Sequence, residues 1–274
     1  THTSGLGYGF IDGNPNIKAI YFKEKNKFMP GGVLGFSDSD VTIKETIKRM
    51  AKMPLHHEPG ERFTYSIGID VLGYLIEIIS GETLSKFLER EIFRPLGMKD
   101  TYFYLPEEKE NRLVPILTKK NQKWSIFDDP RYNVNYPIEG AKKFHSGGGG
   151  LSSTVEDYYK FLSIFLNDGT YNSKKIISPS TNQLIQKDQL IKITNNPDSG
   201  LGHGLISGII RESDVLTGAK GSEGTIVWGG YFNTAYFADP DQKIIGIIYK
   251  QTQLISEPSS DRFNQIIYGV LQKN

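Results

Sequence analysis

The stretch TIVWGGYFNTAYFADPDQKIIGIIYK, residues 225–250, decides the fold. Three runs within it, 225–228, 234–238 and 244–250, are rich in Ile, Val, Phe, Tyr and Thr. Such side chains suit a pleated surface. A glycine-containing turn separates the first two runs, and Asp239-Pro240-Asp241 separates the second and third. Connections this short join antiparallel neighbours, so the stretch predicts a β-meander. Working outward, 205–211 reads as a further strand. Residues 260–271 place Phe263, Ile266, Ile267 and Val270 on one face of a closing helix.

Upstream the period changes from two to about 3.6. Asp40 or Thr42 caps a helix to about residue 53, with Val41, Ile43, Ile47 and Met50 at helical spacing, and Pro54 stops it. Residues 65–80 form an apolar helix with Gly81 at its C-terminal cap position. Thr83 opens another over 84–93, ended by Pro95. Residues 5–39, with Pro30-Gly31-Gly32, and 105–143 read as irregular. The run Gly147 to Gly150 is flexible. Ser153-Thr154-Val155-Glu156 makes a capping box for a helix ended by Gly169. The fold class is therefore α+β: an antiparallel sheet flanked by helices, plus a mostly helical segment. The parts run 1–35 (loop and cleft edge), 36–145 (mostly helical) and 146–274 (helix plus sheet).

Composition narrows the function. The 274 residues carry 32 basic and 31 acidic side chains, a net charge of +1, which asks for no nucleic acid or charged membrane surface. There is no cysteine, so thiolate catalysis and cysteine-ligated metals are excluded. No apolar run approaches the ~18 residues of a membrane span. The histidines His2, His56, His57, His145 and His203 lack metal-ligand spacing and read as surface or turn residues. The Gly-x-Ser-x-Gly and phosphate-loop patterns are both absent.

Two stretches can carry chemistry. Tyr65 follows the Pro59-Gly60 turn at the mouth of a helix, where the macrodipole favours phenolate and a general-base role. In Trp228-Gly229-Gly230-Tyr231, paired glycines at a strand end let another group approach the backbone, whose N–H groups can face an oxyanion.

Five blocks, in order, resemble the serine β-lactamase-like family of class C β-lactamases, DD-peptidases and family VIII carboxylesterases. They are THTSGL at 1–6, PGERFTYS at 59–66, IFRPLGMKDT at 92–101, GGGGLSSTVED at 147–157 and Trp228-Gly229-Gly230. The resemblance implies a β-lactamase/transpeptidase-like fold and an acyl-serine mechanism without metal or organic cofactor. It makes Tyr65 the proton-relaying tyrosine and the N–H of Tyr231 half of an oxyanion hole. It sets Trp228, Gly229 and Gly230 on the cleft strand, and Ser66, Ile67, Gly148 and Gly149 along the cleft lining.

Two departures shape the expectation. The family's nucleophile motif is Ser-x-x-Lys, and no serine here has lysine three residues on. Relatives carry that motif some tens of residues before THTSGL. The chain is thus expected to be truncated ahead of it, and on its own to be inactive and poorly stable. Ile67 also stands where β-lactamases have a substrate-binding asparagine, and Trp228 where they have lysine. Both favour an ester over a β-lactam. The alternatives are a peptidase, amidase or β-lactamase of the same family, and a non-catalytic binding module. The expected partner is a small-molecule ester or amide. The resemblance tilts the location to outside the cytoplasm, and the oligomeric state is left open. The aromatics Tyr8, Phe10, Tyr21, Phe22, Trp124, Phe127, Tyr132 and Tyr136 suggest an apolar pocket wall.

Overall fold

The computed structural model describes residues 1–8, 40–129, 133–191, 193, 202–216, 218–255 and 258–271. Most of the expected loop at 5–39, including the Pro30-Gly31-Gly32 turn, lies outside them, as do Phe10, Tyr21, Phe22 and Tyr132.

Helix α1 spans Ile43–Met50. Its start follows from reciprocal capping: the Glu45 N–H donates to Thr42 Oγ1 (3.3 Å), and the Thr42 N–H donates to Glu45 Oε2 (2.8 Å). Thr42, not Asp40, is therefore the cap. Helix α2 spans Gly68–Ser80 and ends on left-handed Gly81, whose φ is 73°. The expected start at 65 is moved three residues on, because 64–66 are held extended by the segment at 1–3. Helix α3, Leu84–Leu88, is capped by Thr83. It passes through a π turn, Glu89–Phe93, into α4, Arg94–Leu96. Pro95 does not end the helix. It sits in the helical run directly after the π turn, whose altered hydrogen bonding accommodates it, and left-handed Gly97 ends the run (φ 67°).

Residues 105–129 and 133–143 are more ordered than their composition suggests. A 3₁₀ turn covers Glu107–Arg112. Strands β1, Leu117–Lys120, and β2, Lys123–Ile126, form a hairpin through Asn121 and Gln122, both at positive φ (48° and 63°). Helix α5 is Tyr136–Glu139. Helix α6, Val155–Leu166, is capped by Thr154 to the Asp157 N–H, one residue beyond the expected box. A short hairpin, β3 Thr170–Tyr171 and β4 Lys174–Lys175, precedes α7, Pro179–Gln186.

The main sheet has five antiparallel strands in sequential order: β5 Gly202–His203, β6 Gly208–Ile209, β7 Ile226–Gly229, β8 Ala235–Asp239 and β9 Ile244–Ile248. The meander matches its expectation. The strand expected at 205–211 does not. The chain turns at 204–207, because the Leu205 N–H donates to Ile185 O at the end of α7 (3.0 Å) and the Gly204 N–H to Ser207 O (2.8 Å). Short helix α8, Glu212–Leu216, follows β6, and α9, Ser259–Leu271, closes the chain. Helix α9 docks through Phe263 and Tyr268, whose rings lie 6.4 and 5.3 Å from Phe237. The expected apolar stripe is only partly used, since Ile266 and Val270 are exposed.

Two apolar clusters hold these parts. Leu162, Ile164 and Phe165 of α6 pack on Ile209, Ile226 and Ala238 of the sheet and on Phe93, Leu96 and Met98. Ile226 and Ala238 are direct cross-strand partners and both are wholly buried. Each large aliphatic side chain so buried contributes roughly 1.5–3 kcal/mol. The second cluster joins Tyr8, Met50, Ile67, Ile116, Phe127 and Tyr136. Buried Asp157 ties the stretch at 92–101 to that at 147–157, accepting from the Asp100 N–H (2.7 Å), Thr101 Oγ1 (3.0 Å) and Lys160 Nζ (2.9 Å). Among the described residues, no helix is long and apolar enough to cross a membrane.

Candidate active site

Tyr65 lies just ahead of α2, on an extended segment braced by residues 1–3. The Thr64 N–H donates to His2 O (2.8 Å) and the Gly60 N–H to Thr3 O (2.7 Å). Tyr65 as a residue is 38% exposed. Its ring centroid lies 4.5 Å from His2, 5.3 Å from Tyr8 and 6.0 Å from Trp228. Folding therefore joins two stretches that are 163 positions apart in sequence (228 − 65).

The electrostatics differ from the sequence expectation. Partial burial raises the Tyr65 phenol above its ordinary value, and the negative charge of Asp70 raises it further. The lowered value expected from the helix macrodipole is outweighed first by burial of the phenol and then by Asp70, which brings an anion to the first turn of α2. Asp70 is itself buried. Its desolvation pushes the carboxyl up to about 6, against the Ser146 hydroxyl and the N–H groups of Gly148 and Gly147, which favour the anion. The Ser146 hydroxyl donates to Oδ1 at 2.6 Å. Glycine is required in this loop. A Cβ on Gly148 would lie 2.7 Å from Asp70 Oδ2, and one on Gly147 would lie 2.5 Å from Ile69 O.

The glycines after Trp228 have a local cause. Gly229 ends β7, and a Cβ on Gly230 would meet Thr234 Oγ1 at 2.3 Å. The group that approaches their backbone is thus their own hairpin partner, with the Gly230 N–H donating to Thr234 O (2.9 Å).

Trp228, Gly229, Gly230 and Tyr231 nonetheless line the same cleft as Tyr65, Gly148 and Gly149; its volume is about 890 Å³. Ser66 and Ile67 do not line it, and this corrects the sequence expectation. Ser66 is wholly buried against His2, and Ile67 is packed in the cluster with Tyr8 and Met50. Ser66 follows Tyr65 directly and turns inward, and Ile67 is already the N-cap of α2, with φ −67° and ψ 8°.

Most of the apolar wall was missed in the sequence. It comes from Ile92 and Phe93, from Tyr158 and Phe161 on α6, and from Tyr236 on β8. Of the aromatics proposed for it, Tyr136 lines the cleft, Tyr8 and Phe127 sit in the core, and Trp124 is exposed on the β1–β2 hairpin. The histidines also differ from expectation. His2, His57, His145 and His203 are buried. His57 Nδ1 donates to Glu58 O (2.8 Å) and its Nε2 accepts from Thr64 Oγ1 (3.0 Å), another brace on the Tyr65 segment. A helical period cannot reveal such pairings, which bridge loops.

The architecture is that of the β-lactamase and penicillin-binding-protein class. The solved structure of EstCE1, a hydrolase with promiscuous acyltransferase activity, superposes with a TM-score of 0.83 at 22% identity, covering 98% of this chain and 70% of that one. A sequence profile described as Beta-lactamase matches residues 1–266, and the chain belongs to that family. Among curated relatives, protein Rv1367c of Mycobacterium tuberculosis is 32% identical over 256 residues, 89% of this chain. Esterase EstB of Burkholderia gladioli is 26% identical over 255 residues, 87% of this chain. The chain spans 59% and 60% of the length of these two relatives.

Proposed function

We propose that the protein carrying this chain is a serine esterase that works through an acyl-serine intermediate. The observation that carries the reading is the pairing of Tyr65 with Trp228, 6.0 Å apart on one apolar-walled cleft. The nucleophile comes from a Ser-x-x-Lys segment outside these residues, since no serine of the sequence has lysine three positions on. In acylation the serine oxygen attacks the ester carbonyl carbon, and its proton passes through Tyr65 to the departing alkoxide. Water then attacks the acyl-serine carbonyl, releasing the acid and restoring the serine hydroxyl. Raised above its ordinary value by burial and then by Asp70, the Tyr65 phenol keeps its proton near neutrality. It is then suited to donate to the leaving group. A lysine ammonium brought beside it offsets that effect and lets it act as base. The N–H of Tyr231 faces the carbonyl oxygen as charge develops there.

Trp228 supports esters over β-lactams, because an apolar wall offers no counter-charge to a substrate carboxylate. At position 67 a core-packed isoleucine presents no amide to the cleft. The name of EstB supports the same choice. The test is a fluorophosphonate probe on the protein, followed by mapping of the labelled residue. Covalent labelling of one serine, with hydrolysis of p-nitrophenyl esters and little of a chromogenic β-lactam, supports the esterase. A protein that binds the probe nowhere is a non-catalytic module, and preferential β-lactam or peptide turnover assigns the amide reading instead.

A further inference from the structure

We infer that His2 is a positioning residue for Tyr65, bracketing that residue's backbone and fixing the phenol in the cleft. The inference rests on the proposed role of Tyr65. Its basis is two hydrogen bonds that straddle residue 65. The Thr64 N–H donates to the His2 carbonyl at 2.8 Å, and the Ser66 N–H donates to His2 Nδ1 at 3.1 Å. One residue thus grips the chain on both sides of the tyrosine, and its imidazole lies 4.5 Å from the phenol ring.

The grip continues into α2. Ser66 Oγ lies 3.3 Å from His2 Nδ1 and accepts from the Gly68 N–H at 3.2 Å, so the same ring is linked to the helix start. His2 holds a left-handed backbone, φ 53°, which non-glycine residues adopt at a cost. The imidazole is buried and braced edge-on by Phe63 at 5.6 Å and His203 at 5.5 Å. His203 is itself fixed: its N–H donates to Asp188 Oδ1 (3.1 Å), and Asp188 Oδ2 accepts from Arg211 Nε (2.7 Å). His203 also packs edge-on against Trp228 at 5.2 Å. The two imidazoles thereby connect the Tyr65 segment to the cleft strand.

The tautomer follows from the partners. A peptide N–H at Nδ1 requires a lone pair there, so that nitrogen is unprotonated. Burial, with His203 alongside, lowers the His2 imidazole to about 4, which keeps the acceptor available near neutrality.

Two substitutions separate positioning from packing. In His2→Asn the amide oxygen occupies the place of Nδ1 and can still accept from Ser66, and asparagine tolerates a left-handed φ. In His2→Gln the amide reaches instead to the place of Nε2 and leaves the buried Ser66 N–H unpaired. Two readouts are taken on the protein carrying this chain: ester kcat against KM, and the ionisation of Tyr65 from phenolate absorbance relative to a Tyr65→Phe background.

His2→Asn is expected to keep kcat within roughly threefold of the parent. His2→Gln is expected to lower it roughly 10- to 100-fold, KM changing little, as a displacement of about 1 Å does. The Tyr65 ionisation shifts in His2→Gln and not in His2→Asn. Equal behaviour of the two variants in both readouts overturns the inference, as does a loss confined to thermal stability. If the protein turns over no ester while the ionisation still separates the variants, the positioning role stands and the esterase reading falls.

Discussion

The Ser146 hydroxyl donates a 2.6 Å hydrogen bond to the Asp70 carboxylate, joining the glycine loop of the cleft to the first turn of α2. Asp70 therefore sits behind both walls that matter: it holds the loop, and its charge bears on Tyr65. An anion there disfavours the phenolate. Asp70→Asn removes the charge with little change of shape and should make Tyr65 ionise at lower pH. Phenolate absorbance against pH, with Tyr65→Phe as reference, measures it. A phenol that titrates unchanged or higher contradicts the arrangement.

The same carboxyl sets a pH dependence. Its folded value, about 6, lies above the ordinary carboxylate value of 3.8. The folded protein thus binds this proton more readily than the unfolded chain does, and the site's contribution to stability falls as pH rises from about 4 through 6. Relative to Asp70→Asn, the parent should gain stability as pH is lowered from 7 to 4.5. Over that interval the difference is about 2 kcal/mol, from roughly 1.5 pH units below the folded value at about 1.4 kcal/mol per unit. Denaturant melts at both pH values give the comparison; a parent that loses ground to Asp70→Asn on acidification opposes it.

Asp157 is a structural counterpart. It accepts from the Asp100 N–H, the Thr101 hydroxyl and the Lys160 ammonium while nearly inaccessible to water. Asp157→Ala strands three donors and is expected to cost about 3–5 kcal/mol. Thermal or denaturant unfolding reads this directly, and a loss below about 1 kcal/mol means that water replaces the carboxylate.

The fold was legible where local pattern and tertiary environment agree. The three runs at 226–229, 235–239 and 244–248 are rich in Ile, Val, Tyr and Phe, and Asp239-Pro240 marks the turn, so the meander emerges from residues 225–250 alone. The β1–β2 hairpin was not legible. Its strands are largely exposed and lysine-rich, and its turn uses Asn121-Gln122 at positive φ without a glycine. In the candidate site, Tyr65 and the Trp228 strand stood out as motifs. His2, Asp70 and Ser146 did not, because their roles arise from contacts between residues 64 and 76 positions apart. Position 67 misled for a simpler reason: in an extended segment, the residue two beyond an exposed tyrosine need not share its face once the helix begins at Gly68.

Trp228 is the specificity element of the account. Trp228→Lys replaces an apolar wall with a cation. The KM for an uncharged ester should rise roughly tenfold, the equivalent of about 1.4 kcal/mol of lost contact. Binding of a substrate carrying a carboxylate should improve. Paired kinetics on a neutral ester and its carboxylate analogue test this, and equal changes for both remove Trp228 from substrate recognition.

The central claim is that Tyr65 moves the proton in ester cleavage. Its most direct measurement is kcat for an activated and an unactivated ester in the protein carrying Tyr65→Phe, which deletes one oxygen and leaves the ring. The account predicts a fall in kcat of roughly 10²–10⁴-fold for the alkyl ester, a smaller fall for the p-nitrophenyl ester, whose leaving group needs no proton, and unchanged thermal stability. Turnover of the alkyl ester at the parent's rate in the folded variant would contradict it.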